Sequence, residues 1–389
     1  MDKRDKAQRI ARGALSTAAD RAAGPRLLGR FLRAGFSHSD VAILQPAEHF
    51  LELSGEDIRR RLFVTIDEAG EELCLRPEFT IPAAIAYLKS GIAGRRADLA
   101  FFGPVFRHRP GDTGEFLQFG AESIGRADRE AADADMLAEI YASVRDEVAT
   151  GSLAVRLGDL ALFARLLEEL ALSPALARKL SLALADGRIE TILNAAARGE
   201  RADAKGIARY SGVLDALKGA DPAEAKAFVK DLLSLAGISA VGGRSAEDIA
   251  SRFLDRARED SQSLSAEQAE ILRRFLGIAG DPDHVARQLR DLAGEASLDL
   301  DVALDRFELR TGFLEARGFK LETLEAAAGF ARNLDYYSGF VFDIQCAGAE
   351  RPLAGGGRYD RLFSRLGAEV PAIGAAIWVE RLLVAGEPA

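Results

Sequence analysis

The sequence predicts an α+β protein whose sheet is drawn from both ends of the chain around a mostly helical middle. Three observations lead there. Strand chemistry, meaning aromatic and β-branched residues about a polar turn, runs from Asp98 to Gly125 and returns between Asp335 and Trp378, while the text from Glu130 to Leu324 is rich in Ala, Leu and charge. A core assembled this way is discontinuous. The 389 residues suffice for it plus a second unit, because single cores stop growing at about 250–300 residues. The expected division is residues 1–150 with 301–389 as the core and 151–300 as a mostly helical insertion.

Taken in order, residues 1–34 read as helix, with Leu27, Leu28, Phe31 and Leu32 at helical spacing and Gly35 as the stop. An extended segment near Val41–Gln45 ends at Pro46. Two arms about Pro110-Gly111-Asp112-Thr113-Gly114 predict a hairpin. Breaks at Gly219-Ala220-Asp221-Pro222 and Gly280-Asp281-Pro282 punctuate the helical stretch. Beyond it the pattern predicts a strand over Asp335–Gln345, a glycine turn at Gly355-Gly356-Gly357, a short helix, a strand over Ala372–Trp378 and a closing helix from Val379.

Composition removes several function classes. No apolar run approaches the roughly 18 residues of a membrane span, and Arg12 and Asp20 interrupt what an export signal would need as its apolar stretch. A cytoplasmic protein is expected, with no membrane partner. Cys74 and Cys346 lack metal or redox spacing, so neither a zinc site nor a disulfide framework is implied, and His38, His49, His108 and His284 form no H-x-x-x-H pair, which disfavours a metal-dependent enzyme; no cofactor is expected. A net charge of −9 gives no overall attraction to a polyphosphate, which disfavours tRNA.

The second hairpin arm places Gln118, Gly120 and Glu122 on one face, with the two polar side chains about 13 Å apart at Cα and a glycine hollow between them. Such a span suits an amino acid held at both ends; a solvent-facing polar strip reads the same way in one sequence. Arg332-Asn333-Leu334-Asp335-Tyr336-Tyr337-Ser338-Gly339 puts Tyr337, Gly339, Val341 and Asp343 on a common strand face, where paired tyrosines serve either packing or recognition. Leu75-Arg76-Pro77-Glu78-Phe79-Thr80 offers a carboxylate and a hydroxyl just before a helix. Those groups suit an α-ammonium, or Glu78 simply complements the helix dipole. Gly355-Gly356-Gly357-Arg358-Tyr359-Asp360 resembles a phosphate-cradling loop but lacks the following Lys-Ser/Thr.

Together with Gly103-Pro104-Val105-Phe106-Arg107-His108, these segments occur in the order of the histidyl-tRNA synthetase family, and the chain resembles that family from residue 25 to residue 385. The resemblance implies a class II synthetase core, an antiparallel sheet flanked by helices, with the segment around Pro46 similar to a dimer-forming motif. The family's Gly-x-x-Asp-x-x-Pro signature near the N-terminus has no counterpart. Carried over by position, Glu78 and Thr80 would grip the ammonium of histidine and Gln118 its carboxylate. Glu122 and Tyr337 would hold the imidazole with Tyr336 and Tyr359 beside it, and Arg107 and Arg332 match arginines that contact carboxylate and ATP.

The ATP half departs from the family. The loop from Arg107 to Gln118 is shorter than in the synthetases and lacks their glutamate and arginines, and losing one such preorganised contact costs on the order of 10²–10³ in rate. Trp378 stands where synthetases carry a glycine against ATP, and an indole brings roughly 150–250 Å² into that space. The sequence ends soon after Arg381, so no C-terminal anticodon-binding domain is expected. This combination resembles one branch of the family, the regulatory subunits of ATP phosphoribosyltransferase. It implies a non-catalytic homodimer that joins a short-form catalytic subunit in a hetero-oligomer and lets L-histidine exert feedback on histidine biosynthesis. The rivals are an active truncated synthetase and a histidine-binding adaptor for another enzyme.

Overall fold

The computed structural model describes residues 18–53, 58, 60–108, 114–148, 152–198, 240–241, 244–245, 264–332 and 336–386. The hairpin turn at 109–113, Asn333, Leu334 and Asp335, the start of the first predicted helix and the break at 219–222 lie outside them. Two compact units emerge, one of residues 1–163 with 276–389, the other of 164–275.

The first unit is organised by a nine-stranded sheet in the order β1 (Ser37–His38), β5 (Ala97–Phe106), β6 (Glu115–Ile124), β14 (Ala372–Trp378), β13 (Ala354–Arg358), β12 (Phe340–Cys346), β7 (Leu153–Asp159), β11 (Leu324–Ala327) and β10 (Ala279–Gly280). Every pairing is antiparallel except β1 with β5 and β11 with β7. A smaller sheet joins β2 (Leu44–Pro46), β4 (Glu72–Leu75) and β3 (Val64–Ile66).

One face of the large sheet carries Phe102, Phe119, Phe340 and Phe342 and is covered by helices α1 (Ala18–Arg33), α4 (Arg129–Glu147), α10 (Asp301–Ala316) and α12 (Val379–Gly386). Leu27 and Phe31 are buried residues of α1, and Phe31 meets Phe119 with ring centroids 4.7 Å apart. Gly35 adopts φ +92° after the last turn of that helix, a conformation glycine takes without the Cβ penalty. On the opposite face sit α2 (Ala47–Leu53), α3 (Thr80–Lys89) and α11 (Asp360–Arg365), packed around Phe50, Tyr87, Tyr359 and Phe363. Helix α9 (Pro282–Ala296) begins at the predicted Gly280 break, where Asp281 accepts the His284 N–H at 2.9 Å.

The second unit contains most of α5 (Leu160–Glu169), then α6 (Pro174–Ala185), α7 (Ile189–Ala197), the ribbon β8 (Ala240–Val241) with β9 (Arg244–Ser245), and α8 (Ala266–Leu276). Ser173 caps α6 by accepting from Leu176 N, with Pro174 next to it. Arg273 of α8 donates to the Leu193 carbonyl of α7 at 2.7 Å.

Three expectations need correction. Strand β7 lies inside the text read as helical, and residues 153–163 and 276–300 belong with the first unit rather than the insertion. Its Val155 and Leu157 do alternate with Arg156 and Gly158, but the run is short and set in alanine-rich surroundings. Gly355-Gly356-Gly357 is no turn: it forms β13, hydrogen-bonded on both sides in the middle of the sheet. The strand after Tyr337 begins only at Phe340, so the face rule reaches Val341 and Asp343 but not the tyrosines.

The fold makes a contrasting prediction for two glycines. A Cβ on Gly356 would lie 2.4 Å from the Gly374 carbonyl oxygen and 2.5 Å from Ala375 Cβ, whereas one on Gly312, within α10, meets nothing within 4 Å. Gly356→Ala should lower stability by about 1–3 kcal/mol, and Gly312→Ala should raise it by up to about 1 kcal/mol. Thermal or denaturant unfolding checks both signs.

Candidate functional site: a polarised hollow over a glycine floor

The site lies on the sheet face away from α4. Strand register places Gln118, Gly120 and Glu122 of β6 beside Trp378, Ala376 and Gly374 of β14, followed by Gly355 and Gly357 of β13 and Val341 and Asp343 of β12. The floor is therefore glycine-rich, and side chains from its rim fill the space. A Cβ on Gly374 would stand 1.6 Å from a Glu122 carboxylate oxygen, one on Gly355 would stand 2.0 Å from an Arg332 guanidinium nitrogen, and one on Gly357 would stand 3.0 Å from the Tyr337 ring. Glycine is required here for close approach, not for turning.

The acidic end begins with Arg76, which is buried at 3% exposure. Its guanidinium donates to the Pro104 carbonyl at 3.0 Å and to the Val41 carbonyl, and lies 4.6 Å over the Phe79 ring. That anchor brings Glu78 to the N-terminus of α3, where it accepts from Thr80 N at 2.5 Å and Ile81 N at 2.9 Å. The dipole-complementing role open to Glu78 in the sequence is thus realised, and the same carboxylate borders the hollow. Thr80 Oγ1 donates to Glu122 Oε1 at 2.6 Å, and the Tyr359 hydroxyl donates to Glu122 Oε2 at 2.7 Å. Glu78, Thr80, Glu122 and Tyr359, read from separate segments, meet at one point.

The basic end starts with Arg107, whose Nε donates to the Pro77 carbonyl at 2.7 Å and whose terminal nitrogen donates to Gln118 Oε1 at 3.3 Å. Trp378 faces Gln118 in register. Two guanidiniums lie over its indole ring, that of Arg381 at 4.3 Å and that of Arg332 at 5.7 Å from the centroid. Trp378 Nε1 and Arg332 Nε are buried without an acceptor among the described residues. Tyr336 contacts Tyr337 and Tyr359 edge-on, at 5.2 and 6.0 Å between centroids.

Asp343, placed on this face by the sequence but given no role or partner there, pairs with Arg156 of β7 at 2.5 and 2.9 Å. The signal was present, since Asp343 alternates with Val341; its partner lay in the unrecognised strand β7. No group of three or more His, Cys, Asp or Glu side chains able to hold a metal occurs among the described residues, and no described helix is long and apolar enough to cross a membrane.

Burial governs the electrostatics. Glu122, only 2% exposed, is pushed up to about 8, chiefly by desolvation with help from the nearby Glu78 charge and against the Thr80 and Tyr359 hydroxyls. Burial also raises Glu78, opposed by its two backbone amides and by Arg107. The hydroxyls of Tyr336 and Tyr359 stay protonated well above their usual range because they are buried beside carboxylates. Tyr337 is raised by burial and opposed by Arg332. The hollow therefore carries guarded acidic groups at one end and guanidiniums at the other.

The histidyl-tRNA synthetase family model matches residues 16–253 and 252–382. Two solved structures share the fold: an ATP phosphoribosyltransferase regulatory subunit/histidyl-tRNA synthetase from Bacillus halodurans, with a TM-score of 0.66 at 19% identity over 95% of this chain and 79% of that one, and a histidyl-tRNA synthetase from Nostoc, with a TM-score of 0.61 at 19% identity over 94% and 72%. The architecture is that of the histidyl-tRNA synthetase-like class II proteins. Within it, the chain is 39% identical over 350 residues to the ATP phosphoribosyltransferase regulatory subunit of Mesorhizobium japonicum, covering 88% of this chain and 91% of that protein. It is 36% identical over 360 residues to the subunit of the same name from Agrobacterium fabrum, covering 92% and 94%. The chain belongs to the family of ATP phosphoribosyltransferase regulatory subunits.

The raised Glu122 makes stability depend on pH in a set direction. Folded, Glu122 keeps its proton up to about pH 8, against 4.5 ordinarily. Between those values the folded state binds the extra proton, so the contribution is complete below about 4.5 and is lost as pH rises through 8. The stability of wild type relative to Glu122→Gln should fall across that window and level off above it. A pH-independent difference contradicts the burial.

Proposed function

We propose that this chain is the histidine-responsive, non-catalytic regulatory subunit of a short-form ATP phosphoribosyltransferase and lets the end product L-histidine restrain the first step of histidine biosynthesis. The observation that carries the reading is the polarity of the hollow. Glu78, Thr80 and Glu122 stand at one end and Arg107 with Gln118 at the other, an arrangement complementary to an amino-acid zwitterion. Glu78 and Thr80 receive the ammonium, and Gln118 with Arg107 and Arg332 the carboxylate. Glu122 and Tyr337 hold the imidazole, bordered by Tyr336 and Tyr359.

The reading needs no cofactor, metal, tRNA or membrane. It places the chain in the cytoplasm as a homodimer that assembles with the catalytic subunit. The relatives that carry the regulatory name cover about nine-tenths of this chain, which favours that partner over an unrelated enzyme. Against an active synthetase stands the Trp378 indole, with Arg332 and Arg381 over its ring and Gln118 beside it. A nucleotide would have to displace that stack.

Calorimetry should detect L-histidine binding without ATP. Glu122→Ala should weaken it roughly 30-fold or more, since losing one partner of a buried charged hydrogen bond costs about 2–5 kcal/mol. No heat from wild type, alone and with the catalytic subunit present, or an unchanged affinity in the variant, defeats the pocket assignment. Sedimentation of the chain with a short-form catalytic subunit should give a joint complex, and histidine-dependent ATP–pyrophosphate exchange should be absent. Robust exchange would restore the synthetase reading.

A further inference from the structure

Arg358 and Asp360 flank Tyr359, and neither has a part in the ligand contacts proposed for the hollow. Both belong to an ionic cluster, buried except at Asp360, on the α4 side of the sheet. Arg358 donates to Asp133 of α4 at 2.6 Å, to the Arg129 carbonyl at 2.8 Å and to Asp360 at 3.0 Å. Asp133, fully buried, also accepts from Arg310 of α10 at 2.9 Å, and Arg310 reaches Asp159 at the end of β7 at 2.6 Å. One residue further along the chain, the Tyr359 hydroxyl points to the other side of the sheet and donates to Glu122.

The three residues before Arg358 leave the side-chain anchorage of β13 to it, beyond the backbone pairing on either side. Gly355, Gly356 and Gly357 have no side chains with which to fix β13, and the space they leave is filled by Arg332, Ala375 and Tyr337. The first side chain able to anchor the end of the strand is that of Arg358. Its planar fork reaches three acceptors on two elements from separate nitrogens, a spread that the compact ammonium of lysine does not reproduce.

We propose that Arg358, clamped by Asp133 and Asp360, is the positioning residue that holds Tyr359 in reach of Glu122. The inference deepens the histidine reading and rests on it for one of its two measurements. If Arg358 acts through Tyr359, weakening the clamp lets the strand end shift, and the hydroxyl loses the short, directed geometry on which its bond to Glu122 depends.

The test is a double-mutant cycle of Arg358→Lys and Tyr359→Phe. In calorimetry with L-histidine, Arg358→Lys should weaken binding about tenfold in the wild-type background, the scale of one hydrogen bond to a charged group. It should cost nothing further in the Tyr359→Phe background. A merely structural role lowers the melting temperature without that dependence, so an equal loss in both backgrounds, or no loss in either, overturns the proposal. Asp360→Asn, at a partly exposed carboxylate, is the milder variant should Arg358→Lys fail to fold, and it must show the same dependence on Tyr359.

A second measurement needs no ligand. The Tyr359 hydroxyl opposes the rise of Glu122, so its loss should move the Glu122-dependent part of the pH–stability profile upward. That part is read as the difference between each protein and its Glu122→Gln counterpart. Arg358→Lys, or Asp360→Asn in its place, should shift it in the same direction as Tyr359→Phe, and an unshifted profile contradicts the positioning role. If wild type gives no heat with histidine, the histidine reading fails and this profile alone decides the role of Arg358.

Discussion

A carboxylate buried above a glycine is the constraint around which the first unit is arranged. Glu122 lies where any side chain on Gly374 would stand, and its two oxygens are held by the hydroxyls of Thr80 and Tyr359. Burying an ionised carboxylate without a cation is costly, so such a group keeps its proton or waits for a charged partner. Two neutral donors and a second guarded acid, Glu78, leave Glu122 in that waiting state. The same requirement shapes the neighbouring strands. Gly355 and Gly357 leave room for Arg332 and Tyr337, so a strand almost without side chains runs through the middle of the sheet, with Arg358 tying its end to Asp133.

The polarity of the hollow also explains how a synthetase-like architecture can serve regulation. On the proposed reading, histidine takes the Glu122 part of one sheet face, and the part a synthetase would give to a nucleotide holds Trp378 with Arg332 and Arg381 near its ring. Binding without chemistry is what a sensor needs. To regulate, the ligand must prefer one conformation of the assembly, because equal affinity for both shifts nothing. On that reading the glycine floor would tie recognition to the backbone of β13 and β14, and the ionic cluster on the opposite face ties that backbone to α4 and α10.

Much of this was legible in the sequence where a local rule decides the outcome. The hairpin of β5 and β6, the strand Ala372–Trp378 and the helix from Val379 arise from alternation and turn chemistry. The meeting of Glu78, Thr80, Glu122 and Tyr359 was legible from residue types in a familiar order, and no spacing rule alone would have joined them. What escaped depended on tertiary context. Three successive glycines ordinarily signal a turn, and only the side chains crowding against them make a central strand of Gly355–Gly357. Strand β7 is too short to stand out from helical surroundings, and missing it hid both Arg156 as the partner of Asp343 and the attachment of Asp159 to Arg310. Tyr336 and Tyr337 precede their strand, so they reach the hollow by a path that alternation does not describe.

The most direct test of the account is turnover of a short-form ATP phosphoribosyltransferase catalytic subunit, measured against L-histidine with and without this chain. A coupling free energy of about 1–3 kcal/mol between histidine and the catalytic site corresponds to a change of roughly 5–150-fold. The account predicts that histidine lowers turnover of the complex, that Glu122→Ala assembles equally well but no longer responds, and that the partner's substrates weaken histidine binding by the reciprocal factor. Inhibition that persists undiminished in Glu122→Ala, or a catalytic subunit indifferent to the chain, would contradict it.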